Sequence, residues 1–450
     1  MTRIAQIIFL LLISFSATAQ EILDGYVKSG LENNLSLKQK QADYRLSIEA
    51  LREAKGLFYP GVSLNARYTV SEGGRVIDFP VGDLLNPVYS TLNLLTSSGM
   101  FPLIENQQVR FLRPTEHETR LRVTQPLFNT DIYYNSKIRK ELTLIGETDV
   151  NQYRRELIAE IKKSYYNVLM TRSLLVMLTE TRKLLTENIR VNDRLLRNDL
   201  ITRDVLSRSE AELNKFDQEL QNAEKNHRVA RAYFNFLLNR PLQDSIVISE
   251  LSIYPSVSLV FSAYTGKALN DREEIKLLEN YTKVADLKLK MDQASKLPEI
   301  ILVADYGFQG EKYKFNNEQD YVQASAVLSW SLFEGFRNKA RISQSQIEKE
   351  KTELRLEEIR KQIELQVTQA LEELLAAEKG ITAAESRLKN SRESYRMVER
   401  KYAEGQSGLI EYIDSRTALT QAEESLIISK YRYLSAFAEL ERVSTVSTVN

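Results

Sequence analysis

Apolar and small residues between Ile363 and Tyr402 recur at alternating steps of four and three: Ile363, Val367, Ala370, Leu374, Ala377, Ile381, Ala384, Leu388, Ser391, Tyr395, Val398 and Tyr402. That spacing marks a helix packed along a coiled-coil seam rather than an ordinary surface helix. Many seam positions are Ala or Ser, so a neighbouring helix can approach closely, and the positions between them are rich in Glu, Lys, Arg and Gln. The pattern extends back to about Phe336 and predicts a rod of roughly 100 Å, at about 1.5 Å per residue. A second run keeps the same alternation less cleanly: Leu157, Ile161, Ser164, Val168, Thr171, Leu175, Leu178, Arg182, Leu185, Ile189, Asn192 and Leu196. It predicts helix from about Ile132 to Asn198. A break at Asp199–Thr202 leads to a return helix over Arg203–Leu238, ended by Asn239, Arg240 and Pro241. The second rod is likewise followed by a break at Gly405–Gly408 and a return helix over Leu409–Val443.

Elsewhere the period changes to two. Val62, Leu64, Ala66, Tyr68 and Val70 alternate with Ser63, Asn65, Arg67 and Thr69, which predicts a strand with one apolar and one polar face. Further strands are predicted at Thr119–Phe128, Ile300–Gln309 and Tyr321–Phe333. A helix over Ile22–Leu57, stopped by Pro60, precedes the first strand, and one over Arg272–Lys296, stopped by Pro298, precedes the third. Residues 71–118 hold four of the nine prolines and four of the sixteen glycines and read as a long loop with an apolar patch at Leu92–Leu95. Residues 242–270 are mixed, with a β-like run at Ser245–Ile248.

The order helix, two strands, long helix, return helix occurs twice. Leu57 to Pro60 answers Lys296 to Pro298, and Gln125 to Phe128 answers Trp330 to Phe333 at an offset of about 205. The expected division is a leader at 1–19, a first repeat at 20–241, an equatorial segment at 242–270, a second repeat at 271–443 and a tail at 444–450. Four two-faced strands cannot close a membrane barrel alone, since the smallest have about eight, and an open sheet edge cannot face lipid. Closure therefore calls for several copies, and three copies give twelve strands. Phe58, Tyr59 and Phe128, with Trp330 and Phe333 in the matching place of the second repeat, stand at belt positions.

Composition narrows the chemistry. The 450 residues include 61 basic and 61 acidic side chains, so no net field points to nucleic acid or an acidic substrate. There is no Cys, which removes disulfides, thiolate metal sites and an acylated lipoprotein N-terminus. The only histidines, His117 and His227, are far apart in sequence and suggest no metal or catalytic centre; His227 is expected on the surface. No His- or Met-rich tract marks a metal cargo, and no nucleotide loop, cofactor motif or catalytic constellation is found. The first residues read as an export signal: Arg3, an apolar stretch from Ile7 to Phe15, then Ala17, Thr18 and Ala19 before Gln20. No other stretch approaches the roughly 18 apolar residues of a transmembrane helix.

The duplicated layout, the helix-to-proline-to-strand junctions, the Pro126-Leu127-Phe128 and Ser331-Leu332-Phe333 strand exits and the segment from Tyr402 to Asp414 together resemble the TolC-like outer-membrane efflux proteins. The resemblance covers essentially the whole mature chain. It implies a mainly α protein with a membrane β-barrel portion. Each protomer would have duplicated long coiled-coil helical hairpins and four β-strands, and the trimer a 12-stranded barrel and a 12-helix periplasmic tunnel. It implies a passive exit duct of a tripartite efflux or type I secretion system rather than an enzyme. Its partners would be its own copies, outer-membrane lipid, a periplasmic adaptor and, through it, an inner-membrane pump. Glu411 and Asp414, three residues apart, share one face of a helix start. The resemblance turns that pair toward the closed tunnel end, with Asp204 from the first hairpin, so that a trimer gathers a ring of carboxylates. Like charges about 4 Å apart repel by a few kcal/mol at an effective dielectric of about 20, which makes a cation-selective constriction. The turns, Gly405, Gln406, Ser407 and Gly408 in one hairpin and Asp199, Leu200, Ile201 and Thr202 in the other, are the implied adaptor contacts; only the former carries glycine. The alternative is an exported coiled-coil scaffold that binds envelope partners without conducting.

Overall fold

The computed structural model describes residues 21–248 and 261–445. The leader, residues 249–260 of the equatorial segment and residues 446–450 of the tail lie outside the described residues. Helix α1 covers residues 21–33, followed by α2 (Leu35–Gly56), β1 (Gly61–Val70), β2 (Val76–Phe79), α3 (Val81–Thr96), β3 (Gln107–Arg110), β4 (Thr115–Phe128), α4 (Thr130–Arg197) and α5 (Arg203–Leu237). The second half runs α6 (Phe261–Asp271), α7 (Glu273–Ala294), β5 (Glu299–Gly310), β6 (Asp320–Ser329), α8 (Arg337–Ala403) and α9 (Leu409–Ser444). The long helices have 68 and 67 residues. No described helix is long and apolar enough to cross a membrane.

Two compact units form, and each draws on both halves of the chain. The first contains residues up to Glu49, Lys140–Asp286 and the chain from Gln346 onward. Its cores follow the predicted seams. Ile363, Val367, Ala370, Leu374 and Ala377 of α8 are buried against Tyr433, Ala436 and Leu440 of α9. Leu157, Ile161 and Val168 of α4 are buried with Phe234 and Leu238 and with Leu434 and Ala438 of α9. Arg182, at a seam position, instead leans out to Asp217 of α5 at 2.5 Å. Around the α4–α9 contact lie two cross-helix ion pairs, Lys162 with Glu441 at 2.7 Å and Lys163 with Glu439.

The second unit, Ala50–Arg139 with Leu287–Ser345, holds an antiparallel sheet in the order β1-β4-β5-β6. Strands of the two repeats meet at β4–β5, and β1 and β6 are the edges.

Several expectations are corrected. The predicted helix over Ile22–Leu57 is broken at Asn34, whose Oδ1 accepts from the Leu37 N–H at 2.9 Å and caps α2. Strand β4 begins at Thr115, four residues early, because its polar start pairs with the full length of β1. There His117 is fully buried, stacked on Tyr313 with ring centroids 4.3 Å apart. Strand β6 ends at Ser329 rather than Phe333: Ser329 faces Glu299, and the next residue along β5 is Pro298, which has no N–H to extend the ladder. Ser245–Ile248 is not a strand, since its backbone is engaged by side chains: the Val247 N–H donates to the Tyr26 hydroxyl at 2.8 Å. His227 is half-buried, 3.1 Å from Thr171 Oγ1, and burial, aided by Arg231 and Arg172, lowers its pKa.

The largest correction concerns residues 71–118. A two-stranded ribbon, β2 with β3, carries helix α3, and a return segment is clamped to that helix. Asn86 donates to the Ile104 carbonyl at 2.9 Å and accepts from its N–H at 2.8 Å. Asn93 does the same to Phe101 at 2.7 and 3.1 Å. Seven residues apart, the two amides lie on one helix face and substitute for a strand partner. Gly82 admits the Ile104 carbonyl to within 2.3 Å of where a Cβ would stand.

Candidate channel face and gate

In the sheet, register and alternation together sort the side chains. Val62 faces Val123 and Leu64 faces Leu121, while Leu121 faces Tyr306 and Tyr306 faces Val322. This row of one face is apolar across all four strands. The adjacent row carries Ser63, Arg122, Asp305 and Gln323, and beside it lie Asn65, Arg67, Glu118 and Arg120. The apolar face is bare in the protomer: Leu64 is 71% exposed and Val322 80%. The polar face is knitted by charge. Arg122 holds Asp305 through two hydrogen bonds of 2.8 and 2.7 Å, and Glu118 takes Arg120 at 2.9 Å and Arg67 at 3.5 Å. A soluble sheet does the reverse, covering its apolar face and leaving its polar one to water. Aromatic side chains flank both strand ends. Phe58, Tyr59, Phe128, Trp330 and Phe333 are exposed at one, and Tyr68, Tyr313, Phe315 and Phe308 make ring contacts at the other.

The predicted tip residues lie in the first unit. Helices α4 and α8 end in matching turns. The Leu200 N–H bonds the Leu195 carbonyl at 2.9 Å, as the Gln406 N–H bonds that of Lys401 at 2.7 Å. Asp199 (φ 54°) takes the left-handed conformation that Gly405 (φ 73°) takes in the second hairpin, so the missing glycine does not change the turn. Gly408 and Thr202 occupy N-cap positions with extended backbone. Glu411 and Asp414 are exposed on the start of α9, and Glu411 accepts from Ser407 Oγ at 2.6 Å. Asp204 is exposed on the first turn of α5, where a hydrogen bond from Thr202 holds its pKa below the ordinary value. Val205, next to Asp204, packs with Leu409, Tyr412 and Tyr395, so the two hairpin tips of one protomer meet.

Beneath the acidic turn lies a polar network that sequence reasoning missed. Tyr412 stacks on Tyr402 with centroids 4.8 Å apart, and its hydroxyl is 3.2 Å from that of Tyr395. Tyr402 donates to Asn192 Oδ1 at 3.2 Å, and Asn192 donates to Ser209 Oγ at 2.9 Å. Arg416 reaches Thr181 Oγ1 at 2.8 Å. The signal was present in the pattern: Leu409, Tyr412, Arg416 and Leu419 keep seam spacing, and a charge at a seam position marks a specific partner.

Residues 264–444 match the family model described as outer membrane efflux protein. Over that stretch the chain is similar to the outer membrane efflux proteins. Beyond it, solved channels extend the likeness to nearly the whole fold. The Campylobacter jejuni CmeC outer membrane channel aligns with a TM-score of 0.77 at 14% identity, covering 94% of this chain and 85% of that one. The outer membrane protein VceC from Vibrio cholerae gives 0.75 at 14% identity over 95% and 98% of the two chains. The open state of the Neisseria gonorrhoeae MtrE channel gives 0.74 at 16% identity over 94% and 88%. Among curated proteins no sequence matches. The matched stretch is thus part of a fold shared with these channels, and the resemblance read from the duplicated layout is borne out.

Proposed function

We propose that three copies of this protein form an outer-membrane channel. It is a passive exit duct through which an inner-membrane pump, coupled by a periplasmic adaptor, expels its cargo. The observation that carries the reading is the sheet: a bare apolar face, a charged opposite face and two unpaired edges. In lipid the apolar face is satisfied, the charged face lines water, and each edge is satisfied only by a neighbouring copy. Four strands per copy then give a barrel of about twelve, within the range of membrane barrels.

Glu411 and Asp414, with Asp204 nearby in sequence to the contacting Val205, are the proposed gate. Repeated by threefold symmetry, they concentrate negative charge at a narrow tip, which admits cations and resists opening until the return helices are drawn apart. The two turns, residues 199–202 and 405–408, are exposed backbone reversals suited to adaptor contact. The test is single-channel current in a planar bilayer, comparing wild type with the Glu411→Ala, Asp414→Ala double variant. Low, cation-selective conductance is expected from the wild type, with higher conductance and weaker selectivity in the variant and trimers intact in both. Equal currents would remove the gate from this turn. Inserted protein that passes no current in either form would overturn the duct and favour the scaffold reading.

A further inference from the structure

A cavity of about 450 Å³ lies in the first unit among α4, α5 and α9, a size and a setting between helices typical of small-molecule sites. Leu178 of α4, Phe216 of α5 and Ile413 of α9 give it apolar walls. Arg416 also lines it, although the residue is only 8% exposed. One guanidinium nitrogen donates to Thr181 Oγ1 at 2.8 Å, and the group lies 5.3 Å from the Tyr395 ring centroid. The Nε–H has no partner, and among the described residues no carboxylate pairs with Arg416. A guanidinium keeps its charge at any physiological pH. Neither a hydroxyl nor an aromatic face neutralises it, so a buried cation stands on the cavity wall without a counterion, an arrangement that an entering anion relieves.

We propose that this cavity binds an amphipathic monocarboxylate, with the carboxylate on the free Nε–H of Arg416 and an apolar body against Leu178, Phe216 and Ile413. The far end restricts the class. Glu424 and Glu219 line the cavity there, and burial together with Glu219 raises the Glu424 pKa. Glu424 lies eight residues beyond Arg416 on α9, about 12 Å at 1.5 Å per residue. An extended dicarboxylate would therefore bring its second charge to the acidic end, whereas an apolar tail would not. Lys215 of α5 also lines the cavity, but its charge is offset by Glu212 of the same lining, 3.9 Å away, which leaves Arg416 as the cation without a counterion there. The site is independent of the duct reading, since it is complete within one protomer.

The test is calorimetric titration of the purified full-length protein with three isosteres: naphthoate, naphthamide and naphthylmethylammonium. Naphthoate is expected to bind at least about tenfold more tightly than either of the others, the scale of a charge-assisted hydrogen bond. Arg416→Met should weaken naphthoate about tenfold or more while leaving naphthamide unchanged, and Arg416→Lys should retain part of the preference. Ala223→Phe, which fills the cavity without touching the charge, should abolish binding of all three. If Arg416→Met fails to fold, the ranking of isosteres in the wild type and the Ala223→Phe result decide alone. The proposal is overturned if naphthoate does not bind, or if its affinity ignores Arg416. It is equally overturned if the ammonium binds best and is lost on Glu424→Gln.

Discussion

At the scale of single residues, the left-handed turn positions and one ion-paired carboxylate have consequences that can be measured. Gly405 adopts φ 73° with no neighbour near its missing Cβ, so Gly405→Ala meets only backbone strain. A cost of about 1 kcal/mol is expected, visible as several-fold faster amide exchange in the last turn of α8 and nowhere else. Asp199 already tolerates this conformation, as short polar residues can, and that equivalence was not legible from a sequence in which only one turn has glycine. Glu439 shows a different balance. Burial opposes its ionisation, but hydrogen bonds from Arg442 and Lys163 outweigh that and hold its pKa down at about 2, against an ordinary 4.5. A carboxyl lowered in the folded state stabilises above its unfolded pKa and loses that contribution as pH falls through the folded one. The stability gap between wild type and Glu439→Gln should therefore be full at neutral pH and shrink between about pH 4.5 and pH 2. A gap that stays constant across a thermal-melt pH series would contradict the pairing.

Among elements, the seam of α8 was legible in the order of residues alone, because a coiled coil writes its packing into spacing. Leu374, 2% exposed, sits where the alternation places it, while Leu365, off the seam, is 56% exposed. Leu374→Ala is expected to cost about 2–5 kcal/mol, and Leu365→Ala to stay within about 0.5 kcal/mol; chemical unfolding of the two variants side by side checks the contrast. The α3 insert was illegible for the opposite reason. Its order comes from Asn86 and Asn93 satisfying the backbone of a segment up to 18 residues away, and side-chain clamps of that kind leave no periodic trace. The proposed gate residues stand between these cases. Glu411 and Asp414 were identifiable through the family resemblance, whereas Arg416 keeps the seam spacing in the sequence but shows its lack of a counterion only in the folded arrangement.

For the whole molecule, the edges of the sheet make the sharpest prediction. If β1 of one copy joins β6 of the next, cysteines on the polar face should cross-link between copies. The chain has no Cys of its own, so the background is clean. With Asn65→Cys on β1 tested against Gln323→Cys, Ser325→Cys and Val327→Cys on β6, one register should give a covalent trimer on oxidation. Monomer from all three combinations would remove the closed barrel. The same unpaired edges also set the order in which the protein can be made. If the proposed barrel forms, a lone copy entering the bilayer would present two rows of unmet amides and carbonyls to hydrocarbon, so subunits would have to find one another before or during insertion. Biogenesis then becomes a concentration-dependent reaction: halving expression should reduce mature channels more than twofold, leaving unassembled chains to proteolysis.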